Sequence, residues 1–190
     1  MLVTLAALAA LASGADCGLK NLAACPHTNL LFWDRAFQRA VTAFVGHGRA
    51  NYSYSGDRAE QQLNVLGGAP DDPVRIGELY RFTACRPHSC DEKGAVVLEP
   101  SGKIVATAIL YFNCGGSGRS CAKQPTFTLF VRDPSRAKPV ADNLTAWAKA
   151  AADDMYVGEN MPARHLDHVE VFSVSTGVPK PVKLNQIGPR

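Results

Sequence analysis

The chain has 190 residues, 46% of them hydrophobic and 19% charged, with six cysteines and a formal net charge of +3. These values fit one domain of ordinary size and exclude both a wholly disordered chain and a polytopic membrane protein. Six cysteines are too few for a scaffold stapled throughout, so bridges should trim loops while an apolar core carries the fold.

Residues 2–12 form an uncharged apolar stretch, too short to span a bilayer. Ser13, Gly14 and Ala15 follow it and suit signal-peptidase cleavage after Ala15. Residues 1–15 therefore read as a signal peptide, whose positive charge is the amino terminus alone, which points to a start further upstream. Export places the rest in the periplasm or outside the cell, where disulfides persist. Asp16 does not fit the small residue that precedes a lipidated cysteine, so Cys17 reads as a disulfide partner. The cysteines fall in sequence-adjacent couples, Cys17 with Cys25, Cys85 with Cys90 and Cys114 with Cys121. Six cysteines allow 15 connectivities, and local pairing is expected because each couple brackets a loop-like segment. None forms Cys-x-x-Cys, which argues against a thioredoxin-like site and a zinc knuckle.

Trp33, Phe37, Val41 and Phe44 recur at helical spacing, which predicts one helix with an apolar face, capped by Thr28 or Asn29 and closed by Gly46. Such a stripe reads as core. Residues 46–73 are rich in Gly, Asn, Asp and Ser and read as a long connection with a short strand at 51–54. Strands are predicted at 79–83, 95–99 and 103–112, the last two joined by a Pro100-Ser101-Gly102 turn. Gly115, Gly116, Ser117 and Gly118 lack the Lys and Ser/Thr of a phosphate loop and read as a hairpin tip. A strand at 126–131, a Pro-opened helix at 139–152 and a strand at 168–174 follow. The run Arg164-His165-Leu166-Asp167-His168 could offer two imidazoles and a carboxylate to a metal, but without further clustered ligands it reads as the polar entry to that strand.

From Val178 onward, three prolines and no acid predict an extended tail over 178–190 rather than core. Its Lys180, Lys183 and Arg190 account for the whole net charge. Residues 16–177, read as a single domain, carry 17 basic and 17 acidic side chains. A neutral domain with three tail cations gives little footing for nucleic-acid binding.

The segment Cys85-Arg86-Pro87-His88-Ser89-Cys90 stands between two predicted strands. A bond between its cysteines closes a six-residue ring, which the chain-entropy model values at about 2 kcal/mol. Pro87 fixes its own φ and keeps Arg86 out of the helical region, so Arg86 and His88 are expected to project. A stiff, protruding, basic and aromatic loop suits insertion into a concave partner, because its ordering cost is met before binding. The thiol-nucleophile alternative, a Cys with His88, requires a free thiol.

This hexapeptide, flanked by residues 80–84 and 95–99, resembles the Cys-Lys-Pro-His-Asp-Cys loop of the Ivy family, inhibitors of vertebrate (c-type) lysozyme exported by Gram-negative bacteria. The resemblance covers about residues 30–152, with 35–47 like the family's first helix and 126–152 like its later strand and helix. It implies an α+β fold, a central antiparallel sheet with helices packed on one side. It also implies that His88 enters the target's active site between two carboxylates, with no catalytic residue, cofactor or metal of its own. Arg86 stands for the family's Lys and is expected at the rim or on a carboxylate, with Asp91 and Glu92 as acids for a basic rim. Ser89 stands for the family's Asp and removes an anion. The implied partner is a c-type lysozyme, or in a variant of the same mechanism the cell's own lytic transglycosylases. Some members are dimers, which admits a homodimer here. The alternative from another class is a non-inhibitory envelope binding module in which the loop is only a hairpin clip.

Overall fold

The computed structural model describes residues 16–114, 120–155, 163–174, 178–183 and 186–187. The expected signal peptide and the glycine-rich tip at 115–118 lie outside them. Among the described residues, no helix is long and apolar enough to cross a membrane.

Three sequence couples are three bonds: Cys17–Cys25, Cys85–Cys90 and Cys114–Cys121 are all disulfides, and no free thiol remains. That removes the thiol-nucleophile alternative. The single helix expected across Trp33 is two: α1 (Thr28–Phe32) and α2 (Arg35–Val45). The break is caused by Asp34, whose carboxylate accepts the Ala36 N–H at 2.8 Å and the Leu19 N–H at 2.7 Å, restarting the helix with its own cap. Thr28, expected as a cap, instead donates its hydroxyl to Thr83 O at 2.7 Å. Trp33 falls at the break and is 74% exposed, while Phe37, Val41 and Phe44 face the core as expected. Gly46 ends α2 at φ 68°, a conformation open to glycine.

The connection at 46–73 holds more structure than expected. Strands β1 (Arg49–Asn51) and β2 (Ser55–Asp57) form a small hairpin, followed by helix α3 (Arg58–Asn64). Asp57 caps α3 by accepting from Ala59 N at 3.0 Å and Glu60 N at 3.2 Å.

The main sheet runs in spatial order through β3 (Val74–Ile76), β4 (Leu79–Arg86), β5 (Ser89–Leu98), β6 (Ile104–Tyr111), β7 (Thr126–Val131), β8 (His168–Ser173) and β9 (Lys180–Pro181). Every neighbouring pair is antiparallel except β7 and β8. That pair is parallel because helix α4 (Lys138–Asp153) lies between them in sequence and supplies the crossover a parallel pair requires.

The α+β class stands, but helices cover both faces of the sheet rather than one. On the first face Phe82, Val96, Leu98, Ile109 and Phe130 pack with residues of α2 and the α3 region. On the second, Ala95, Val97, Ala108, Leu129 and Val131 pack with Val140, Ala141, Leu144 and Ala148 of α4. The physical reason is composition. Strands β6 and β7 are apolar or Thr at nearly every position, so neither face can be left wet. Alanines on the second face let the Ala-rich α4 approach closely.

The described part of the carboxyl-terminal segment is tied to the domain. Lys180 and Pro181 pair with β8, and Ile187 is buried in the α4-side core.

A disulfide-closed loop as candidate binding site

Strands β4 and β5 form one hairpin in which Pro87 and His88 alone lie between the strands, both exposed. The sheet pairing proceeds evenly to Cys85 opposite Lys93, and the next pair is Arg86 opposite Ser89. Strand β4 advances by one residue there and β5 by four, so Cys90, Asp91 and Glu92 bulge out below the tip. Two cross-links span this bulge, the Cys85–Cys90 disulfide and an ion pair between Arg86 Nε and Glu92 Oε2.

The ion pair corrects two expectations. Arg86 does not project: its side chain turns back and is 32% exposed. Glu92 is not a rim acid, since it is 6% exposed and paired with Arg86. Asp91 is exposed. The tip therefore presents His88.

His88 has φ 64° and is the one non-glycine residue with positive φ among the described residues. Two-residue hairpins favour turns whose first central residue has positive φ, which Pro87 cannot adopt. Pro followed by a left-handed residue is instead the pattern of a type II turn, which calls for Gly or Asn where His88 stands. An L-residue held there costs about 1–2 kcal/mol.

The outer edge of β4 supports the tip. Residues 68–71 run alongside it, with Gly68 N–H donating to Cys85 O at 2.8 Å, Cys85 N–H to Ala69 O at 2.9 Å and Asp71 N–H to Thr83 O at 3.0 Å. The Thr83 hydroxyl donates to the Asp71 carboxylate at 2.7 Å. Gly68 lies so close that a Cβ there would stand 2.8 Å from Pro87 N and 2.9 Å from Arg86 C. Only glycine fits without displacing the backbone of the loop.

The Cys114–Cys121 bond lies between β6 and β7 in sequence and stands at the same end of the sheet, where β6 ends and β7 begins. A cleft of about 420 Å³ lies between that bond and the base of the tip, with Ser53, Asp91, Phe112, Lys123 and Arg164 in its walls. Arg164 is fixed over the Phe112 ring at 4.9 Å and donates to Lys123 O. Tyr54, from the β1–β2 turn, has its hydroxyl pKa raised by partial burial first and then by Glu60, while the Arg86 charge pulls it down.

Farther along, burial raises the pKa values of Tyr52 and Tyr111, so both phenols stay protonated. The polar run at 164–168 gathers no metal site: His168 Nε2 lies 3.6 Å from Glu170 Oε1, and among the described residues no group of three or more His, Cys, Asp or Glu could hold an ion.

The structure thus brings the six loop residues together, sets the Cys114–Cys121 couple across a cleft from them, and leaves the Cys17–Cys25 couple outside that cleft. Sequence reasoning missed Gly68 and the internal role of Glu92. A Gly67-Gly68 pair ahead of a strand hints at close backbone approach, whereas a carboxylate two residues past Cys90 carries no local signal, because its role depends on the bulge. No family model, no curated protein and no solved structure matches the chain.

Proposed function

We propose that this protein is an exported inhibitor of c-type lysozyme that blocks the target's cleft with the Arg86–Ser89 tip. The observation that carries this reading is His88, an exposed imidazole at the apex of a cross-linked hairpin, in a backbone conformation that disfavours it. Strain of this kind persists where surrounding structure over-determines it, and it concentrates at functional positions. Gly and Asn are the residues such a turn ordinarily carries there.

The chemistry follows from the target class. A glycosidase cleft holds two carboxylates flanking the scissile bond. An imidazole inserted between them donates a hydrogen bond to one or both, and as imidazolium it adds charge assistance. Because Arg86 is engaged with Glu92, the contact rests on His88 rather than on a pair of cations. Pre-ordering of the tip lowers the entropy lost on insertion. The likeness of the hexapeptide to the Ivy loop supports the choice of target, and three disulfides fit an oxidising compartment outside the cytoplasm.

The test is a turbidity assay of lysozyme on cell walls with the purified, oxidised protein and its His88→Ala variant. Inhibition by the wild type and its loss in the variant, at unchanged melting temperature, are the expected results. Equal inhibition by the two proteins overturns the reading.

A further inference from the structure

The bulge beneath the tip is closed by one covalent link and one ionic link, and the two constrain different atoms. The disulfide joins Cys85 to Cys90 and leaves the four residues between them to find their own path. The ion pair holds Arg86, the first residue of the turn, from a point two residues beyond the ring. Arg86 also has its backbone packed on Gly68. With its main chain against Gly68 and its guanidinium drawn in to Glu92, Arg86 has a fixed orientation, and Pro87, rigid in φ, transmits that orientation to His88.

Glu92 is suited to this role by its burial. At 6% exposure, a carboxylate without a partner is strongly disfavoured, so the pair stays closed in the folded protein. Arg86, about one-third exposed, has the opposite freedom. Released from Glu92, it can turn to water, and the turn then relaxes away from the left-handed geometry at His88.

We propose that Glu92 is a positioning residue: acting through Arg86, it holds the tip so that His88 keeps its left-handed backbone and stands outward for a partner. The inference rests on the reading of His88 as the residue that enters the partner's cleft. It adds a specific claim, that the disulfide alone does not fix the imidazole.

The test uses Glu92→Gln, which removes the charge at nearly constant volume, and the double variant Arg86→Gln with Glu92→Gln, which leaves neither charge unpaired should the first variant fold poorly. Two readouts are taken on each oxidised protein. One is the amide-to-α-proton coupling and intraresidue contact of His88 by NMR, which separate a left-handed backbone from other conformations. The other is inhibition of lysozyme. The expected result is loss of the left-handed signature at His88 and roughly tenfold weaker inhibition, as for a tip competent about a tenth of the time. A left-handed signature that persists in both variants overturns the proposal, whether inhibition holds or falls, because a fall would then mean direct contact between the pair and the partner. If the wild type inhibits no lysozyme while His88 still relaxes in the variants, the assignment of the partner fails and the positioning role stands.

Discussion

Replacing His88 by glycine should make the protein more stable and less active at once. In the folded state His88 sits at φ 64°, and relief of that conformation is worth about 1–2 kcal/mol. Glycine is freer in the unfolded chain, which returns about 0.5–1 kcal/mol. Taken at mid-range, the difference is a net gain of about 0.75 kcal/mol. For a domain of this size each kcal/mol moves the melting temperature by about 2–4 °C, so a rise of about 1–4 °C is expected in a calorimetric scan of the oxidised protein. His88→Asn is the control, because Asn, like His, is among the residues enriched in the left-handed region, but it lacks the imidazole. Both variants should lose lysozyme inhibition. A lower melting temperature for the glycine variant would refute the argument, since it would mean that the imidazole makes stabilising contacts that outweigh its backbone cost. Retained inhibition would refute the role of the imidazole itself.

Gly68→Ala should destabilise the protein by about 1–3 kcal/mol and weaken inhibition, since the new methyl meets backbone on Arg86 and Pro87 that cannot give way cheaply; melting and inhibition both unchanged would exclude the close approach. Removing the ring bond with Cys85→Ala and Cys90→Ala should cost about 2 kcal/mol in urea unfolding, with inhibition falling alongside, and no loss in either would show that the bulge holds without it. The Gly48 N–H above all, with the Glu60 and Ala59 N–H groups and His47, holds the Asp57 carboxyl below the ordinary carboxylate range. The stability it contributes is therefore complete above the unfolded pKa of about 4 and is lost as pH falls through the lowered folded value. Asp57→Asn should flatten the acid limb of a stability-versus-pH curve, and superimposable limbs would count against the cap.

Much of the fold was legible because it is written in local pattern. Residues 126–131 and the Pro-opened helix were readable from periodicity, and the disulfides from the proximity of each couple. What was not legible depended on partners distant in sequence. The helix break at Trp33 follows from Asp34 binding the Leu19 N–H, a contact across 15 positions. The small α3 did carry a signal, Asp57 with Glu60 three residues later, but it was submerged in a Gly- and Ser-rich segment. The second helical layer is implicit in strands with no polar face, whereas the family resemblance implies one layer. At the site, the ring and its imidazole were legible as a motif. The fate of Arg86 was not, because residues 91–93 are all charged and do not read as the continuation of a strand that starts at Ser89.

Among the described residues, several departures from local preference fall within 85–92, and they form one causal sequence. Pro87 at the tip excludes the turns whose twist matches a two-residue hairpin, and the type II pattern that remains splays the strands. The splay is taken up by three extra residues in β5, Cys90 to Glu92. Such a bulge would leave the tip free to swing, and two of its three residues are those that bind back across the hairpin, Cys90 to Cys85 and Glu92 to Arg86. The remaining freedom, at the outer edge of β4, is closed by Gly68. An Asn-Gly turn at 87–88 would have joined the same strands with none of these devices. Local conflict of this density is what a functional position looks like when the rest of the sequence agrees with its fold. On the proposed reading, each of these compensations serves to hold one side chain, His88, exposed at the tip.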